Sequence, residues 1–291
     1  MLISVIIPNF NHGKYLSDNL NGLIKQSYKN WEAIVIDDGS TDNSQEILTE
    51  FSKKDSRIKP FFLSENQGVF AALEVGLKNM SGDLYYGSGA DDYVCNNDFF
   101  QKTIDELTKY PNAAGVAFQT TVVDAETSAS LWNMGTFFSG YVEGLNAVIS
   151  FFNRTLFIPG SSVIWKTHLM KKLGFKKDLG GQSDYFFNHA LPLYGGICFV
   201  NEIAAVYRKS PHTFSAKETS SDYFIHHALI EQRLMDLCNE FHIASNLRLF
   251  WRNSVVEEKL APLKSQTTDL DYTTIKQDAM TIFNNIAGLL A

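Results

Sequence analysis

Over the first 92 residues, short apolar runs alternate with stretches whose apolar residues fall at helical spacing. This rhythm restricts the possible folds more than any other feature of the chain. Residues 3–7 are followed by Tyr15, Leu16, Leu20, Leu23 and Ile24, then by the run 33–36 and a helical pattern over 45–51. A run at 58–63, a helical pattern at 69–80 and a run at 84–86 continue the series. Strands joined by helical crossovers pack in a right-handed sense, so the pattern predicts an α/β fold with a mostly parallel sheet flanked by helices.

Ligands of such sheets bind beyond the carboxyl ends of the strands, where loops converge and helix amino termini point into the crevice. Three polar loops fall at these ends: PNFN at 8–11, DDGSTD at 37–42 and GSGADD at 87–92. Past residue 93 the pattern is mixed, with a helix-like SDYFFNHAL at 183–191 and strand-like ICFV and AAVYR. From about residue 217 the strand signals fade, and helical spacing predicts a C-terminal helical region, 218–291, docked on a main domain of residues 1–217. Within that domain the alternation is regular over 1–92 and mixed over 93–217.

With 291 residues, 45% of them hydrophobic and 20% charged, the chain can bury an ordinary globular core. A net charge of −7 argues against a nucleic-acid surface, which needs a basic face. Cys95, Cys198 and Cys238 lack ligand spacing and read as reduced core residues. The opening MLISVIIPNF lacks a basic start and reads as a strand rather than a leader. No apolar run reaches the ~18–20 residues needed to span a bilayer, so a cytoplasmic location is expected, with peripheral membrane contact left open. The segment NLRLFWRN at 246–253 is either such a contact or, more simply, a packed helix.

Each loop has a plain reading and a chemical one. Ser40, Thr41 and Asp42 suit a turn and a helix cap, but a cap needs one carboxylate, which leaves Asp37 and Asp38 for a ligand. Asp91 and Asp92 fit a solvated loop, or a divalent cation held between them and a diphosphate. Trp132, Trp165, Phe151 and Phe152 are core residues or sugar-stacking faces.

Taken together, SVIIPNFNHGKYL, WEAIVIDDGSTDNS, SENQGVFAALEVGL and SGDLYYGSGADD resemble, in order and spacing, the nucleotide-binding half of family 2 glycosyltransferases of GT-A fold. A looser resemblance continues to about residue 215 through PGSSVIWKTHLMKKLGF, GGQSDYFF and AAVYRKSPHTFS. The resemblance implies a glycosyltransferase acting on a nucleotide-sugar donor and a saccharide or lipid-linked saccharide acceptor, in surface polysaccharide or glycan assembly. It also implies inversion and a divalent metal, Mg²⁺ or Mn²⁺. By matching position, Pro8, Asn9 and Asn11 line the nucleotide pocket, and Asp37 and Asp38 contact base or ribose. Asn66, Gly68 and Ala90 border the donor, while Asp91 and Asp92 serve metal and diphosphate, with His212 closing over them. Asp184 takes the place of the catalytic base, with Asp178 in reserve. The chain departs from the family's Asp-x-Asp-Asp by carrying Gly89 in the leading position.

Three rivals follow from the same residues. A donor-binding protein without catalysis is made thinkable by Gly89. A sugar nucleotidyltransferase would carry a glycine-rich, basic phosphate loop after the first strand, and PNFNHGKYL has one glycine. A Rossmann oxidoreductase would carry G-x-G-x-x-G there.

Overall fold

The run at the amino terminus becomes β1 (Ile3–Asn9), whose residues 3–7 are fully buried. In this computed structural model, which describes residues 1–152, 155–210, 219–240, 247–261 and 269–290, the alternation continues as the sequence predicts. There follow α1 (Gly13–Ile24), β2 (Trp31–Asp37), α2 (Ser44–Lys54), β3 (Ile58–Phe62), α3 (Val69–Asn79) and β4 (Leu84–Gly87). These four strands lie in the order β3-β2-β1-β4, all parallel, which sets Ser4 beside Glu32 and Asn9 beside Asp37.

The second half adds β5 (Tyr93–Val94), α4 (Phe99–Lys109), β6 (Gly115–Asp124), β7 (Ser130–Met134), β8 (Gly140–Val142) and α5 (Gly144–Phe152). Then come β9 (Val163–Lys166), α6 (Thr167–Leu173), α7 (Ser183–Ala190) and β10 (Ile197–Lys209). Here the sheet turns mixed: β9 runs antiparallel between β4 and β6, and β10 lies parallel to β6. An antiparallel neighbour needs no helical crossover, so β9 starts at the end of the sheet where β4 finishes and brings the loop before it to that rim. The two strand-like runs ICFV and AAVYR are one strand, with register shifts between Phe199 and Ala205.

Each sheet face buries its own hydrophobic cluster. One is completed by the C-terminal helices α8 (Ser220–Glu240), α9 (Leu247–Leu260) and α10 (Asp269–Leu290), whose Ile230, Val255, Val256 and Phe283 are fully buried in the cluster containing Ile6, Ile34 and Phe186. No described helix is long and apolar enough to cross a membrane.

Trp165 and Phe151 are core residues, whereas Trp132 is 48% exposed. The core assignment of the cysteines holds for Cys198 but not for Cys95, which follows the two-residue edge strand β5 and is exposed. The side chains of Cys238, Phe152, Leu247, Phe250 and Trp251 lie outside the described ones.

Candidate functional site

The rim is built first by hydrogen bonds among the loops. Asn9 Nδ2 donates to Asp37 Oδ2 at 2.8 Å, while Asp37 Oδ1 accepts from the Ser40 amide and Gln45 Nε2, each at 3.1 Å. Asp37 is fully buried, and these hydrogen bonds use its charge to hold the loop. Asp38, also buried, accepts from the Gln67 and Gly68 amides, both at 2.8 Å. It therefore grips the ENQG loop from behind. The two loops touch closely: Gly39 has φ +70°, and a Cβ there would lie 2.6 Å from the Glu65 backbone.

Asn11 adopts φ 57° and turns its Oδ1 onto the Thr41 and Asp42 amides, at 2.8 and 3.3 Å. Asn66 is exposed, with Oδ1 accepting from the Gly68 amide at 3.1 Å, and a Cβ on Gly68 would meet open space. Pro8 lines the crevice. Buried Asn9 keeps one acceptor, Oδ1, with no hydrogen-bond donor among the described residues.

Behind the acidic turn stands Asn19 of α1, whose Nδ2 reaches Ser88 Oγ at 3.0 Å and the carbonyls of Gly89 and Asp92, both at 2.9 Å. Ala90 is buried in the core. Asp92 is buried too, and its Oδ1 accepts from the Arg208 amide at 2.9 Å. Burial, and then the neighbouring Asp91 charge, push the Asp92 carboxyl well above the usual carboxylate range, against the opposing amide and charge of Arg208.

The guanidinium of Arg208 donates to the Asp91 carbonyl at 2.7 Å and to Asp18 Oδ2 at 2.6 Å. It also lies against the rings of Tyr15 and Tyr93, 4.8 and 4.7 Å from their centroids. Arg208 is thus a buried brace of the site. Its signal was present in the sequence, because it shares the buried parity of β10 with Ala204 and Val206, just as Asn19 shares the buried face of α1 with Leu16 and Leu20.

A Cβ placed on Gly89 would lie 2.8 Å from Asp91 Oδ1 and 3.1 Å from Asp92 Oδ2. Both carboxylates thus converge over the glycine from one side. Two hard oxygen donors of this kind fit Mg²⁺ or Mn²⁺, which take one or two carboxylates and complete their shell with phosphates and water. Among the described residues no three acidic, His or Cys groups gather to hold a metal, and His212 lies outside them.

Asp184 sits in the first turn of α7, Oδ1 accepting from the Tyr185 amide at 2.8 Å. Asn188 anchors this helix to the Ile158 carbonyl at 2.9 Å. A Cβ on Gly160, in the loop before β9, would come within 2.7 Å of Asp184 Oδ2, so the glycine makes room for the carboxylate. Gly89, Asp92 and Asp184 line a common cavity of about 730 Å³. An adjoining apolar cavity of about 260 Å³ shares Asp184 and Gly89 and adds Pro8 and Phe70. Asp178, the reserve candidate, is paired with Arg233 of α8.

The description "Glycosyl transferase family 2" matches residues 4–211. An uncharacterized glycosyltransferase of Haemophilus influenzae is 44% identical over 96 residues, covering 33% of this chain and 38% of that protein. The chain spans about a third of the length of several such relatives. Among solved structures, S. aureus TarS 1–349 in complex with UDP-GlcNAc superposes with a TM-score of 0.71 at 19% identity, covering 99% of this chain and 82% of that one. A mannosyltransferase of Pyrobaculum calidifontis in complex with GDP-Man and Mn²⁺ gives 0.57 at 16% identity, covering 99% and 86%. With the family matched along most of its length and the fold shared from end to end, the chain belongs to glycosyl transferase family 2.

Proposed function

We propose that this chain transfers a sugar from a nucleotide-diphosphate sugar to a hydroxyl of a saccharide acceptor, with inversion at the anomeric carbon. The observation that carries the reading is the cavity lined at once by Asp184 and by the Gly89–Asp92 turn, which sets a carboxylate opposite the place where a donor diphosphate would lie. Asp184 takes the proton of the acceptor hydroxyl as its oxygen bonds to the anomeric carbon, and the bond to the nucleoside diphosphate breaks. Asp91 and Asp92 would hold a divalent cation, which when bound would offset the negative charge of the departing diphosphate. Gly68 and the amino end of α3 border the donor, with Asp38 fixing that loop from behind. The nucleotide-sugar complexes of the structural relatives support this donor class.

The test uses UDP-GlcNAc and GDP-mannose with and without Mn²⁺, reading thermal shift for binding and nucleoside diphosphate release for turnover. Asp184→Asn should cut release by about 100-fold or more while the Mn²⁺-dependent shift persists. Undiminished release in that variant would refute the base, and binding without turnover across an acceptor panel would favour a donor-binding protein.

A further inference from the structure

The segment that carries Asp184 is gripped at three points by α8. Arg233 forms an ion pair with Asp178; although burial pushes that carboxyl up, the hydrogen bond and charge of Arg233 outweigh it and hold it below its usual range. Gly180, with φ +49° and ψ −133°, breaks the short helical turn that precedes α7, and a Cβ there would fall 2.5 Å from Cε1 of His226. The His226 ring therefore rests directly on the backbone at the break. The third contact is aromatic: His227 lies 5.0 Å from the ring of Tyr185 and stacks at 4.1 Å on Tyr223. Tyr185 is the residue whose amide holds the Asp184 carboxylate. Tyr223 is backed by α9, through a 3.3 Å bond to the Val255 carbonyl and by Lys259, 4.5 Å over its ring.

These three contacts immobilise residues 178–185 from one side, and α8 begins at Ser220, beyond the family match ending at 211. From this geometry we infer that the C-terminal helices belong to the catalytic apparatus, with Arg233, His226 and His227 as positioning residues that set the Asp184 carboxylate against the acidic turn. The inference rests on the reading of Asp184 as the base.

A partly exposed ion pair contributes little to stability, so Arg233→Met should fold while loosening the segment. Nucleoside diphosphate release from UDP-GlcNAc or GDP-mannose should fall about 10- to 100-fold, the loss expected when a catalytic group shifts by ~1 Å. The KM for the donor and the Mn²⁺-dependent thermal shift should stay within about twofold, because the defect lies in the chemical step. The reciprocal exchange Asp178→Arg with Arg233→Asp should restore turnover. His227→Phe, which keeps the stack, should retain it, whereas His227→Ala should not. If Arg233→Met and His227→Ala release nucleotide at the native rate while Asp184→Asn abolishes release, the positioning role is overturned and the base stands. If Asp184→Asn itself releases nucleotide at the native rate, the reading of the base falls and takes this inference with it.

Discussion

At the scale of single residues, charge decides the character of the site. Asp91 and Asp92 converge over a position without a side chain, and Arg208 supplies a buried cation just behind them. The Arg208 side chain is only 10% exposed, with the Tyr15 and Tyr93 rings beside its guanidinium. Gly89→Asp would restore the acidic residue usual in the family and bring a third negative charge against the two carboxylates already there. Without metal that repulsion should lower the melting temperature relative to the native chain. Adding Mn²⁺ should return more stability to the variant than to the native protein, because tighter binding to the folded state stabilises by mass action. Melting curves in EDTA and across a Mn²⁺ titration would show this, and identical curves for both proteins would contradict it.

Among elements, the parallel half of the sheet is tied together at its lower end by Glu32 of β2. Its carboxylate accepts from Ser4 of β1 and Lys59 of β3, both at 2.6 Å, and from the amide and hydroxyl of Ser81, at 2.8 and 2.9 Å. Burial pushes this carboxyl up, but the four hydrogen bonds outweigh that and bring it from 4.5 down to about 2. A depressed carboxyl stabilises the fold above its unfolded value. That contribution is complete above about pH 4.5 and is lost as the pH falls towards about 2. Glu32→Gln should therefore cost on the order of 2 kcal/mol at pH 7, with the difference shrinking over that acid window in denaturant titrations. A difference independent of pH would refute the assignment. Most of these elements were legible beforehand, because period-2 and period-3.6 patterns need only local spacing. The antiparallel entry of β9 was not, since nothing within four residues, VIWK, states the direction of a neighbour.

In the whole molecule the C-terminal helices share one hydrophobic cluster with the sheet, so the chain should melt in a single transition. Phe283, fully buried in α10, tests this: Phe283→Ala should cost about 3–5 kcal/mol and lower the melting point by roughly 10 °C for the entire protein. A separate early transition of the C-terminal helices would contradict it. Spacing alone determined the α/β alternation, the three strand-end loops and the acidic turn at 91–92, because each depends on residues near one another in the chain. Only the tertiary structure decided which partners these groups find: Asp37 meets Asn9, Ser40 and Gln45, Asp38 meets the Gln67 and Gly68 amides, Asp178 meets Arg233, and the methyl of Ala90 joins the core. It also decided that Arg208 stands behind the acidic turn and that α8 grips the segment of Asp184. The physical reason is that the donors these carboxylates meet come from segments dozens to nearly two hundred residues away, as Arg208 does for Asp18 and Arg233 for Asp178, and no local spacing states them.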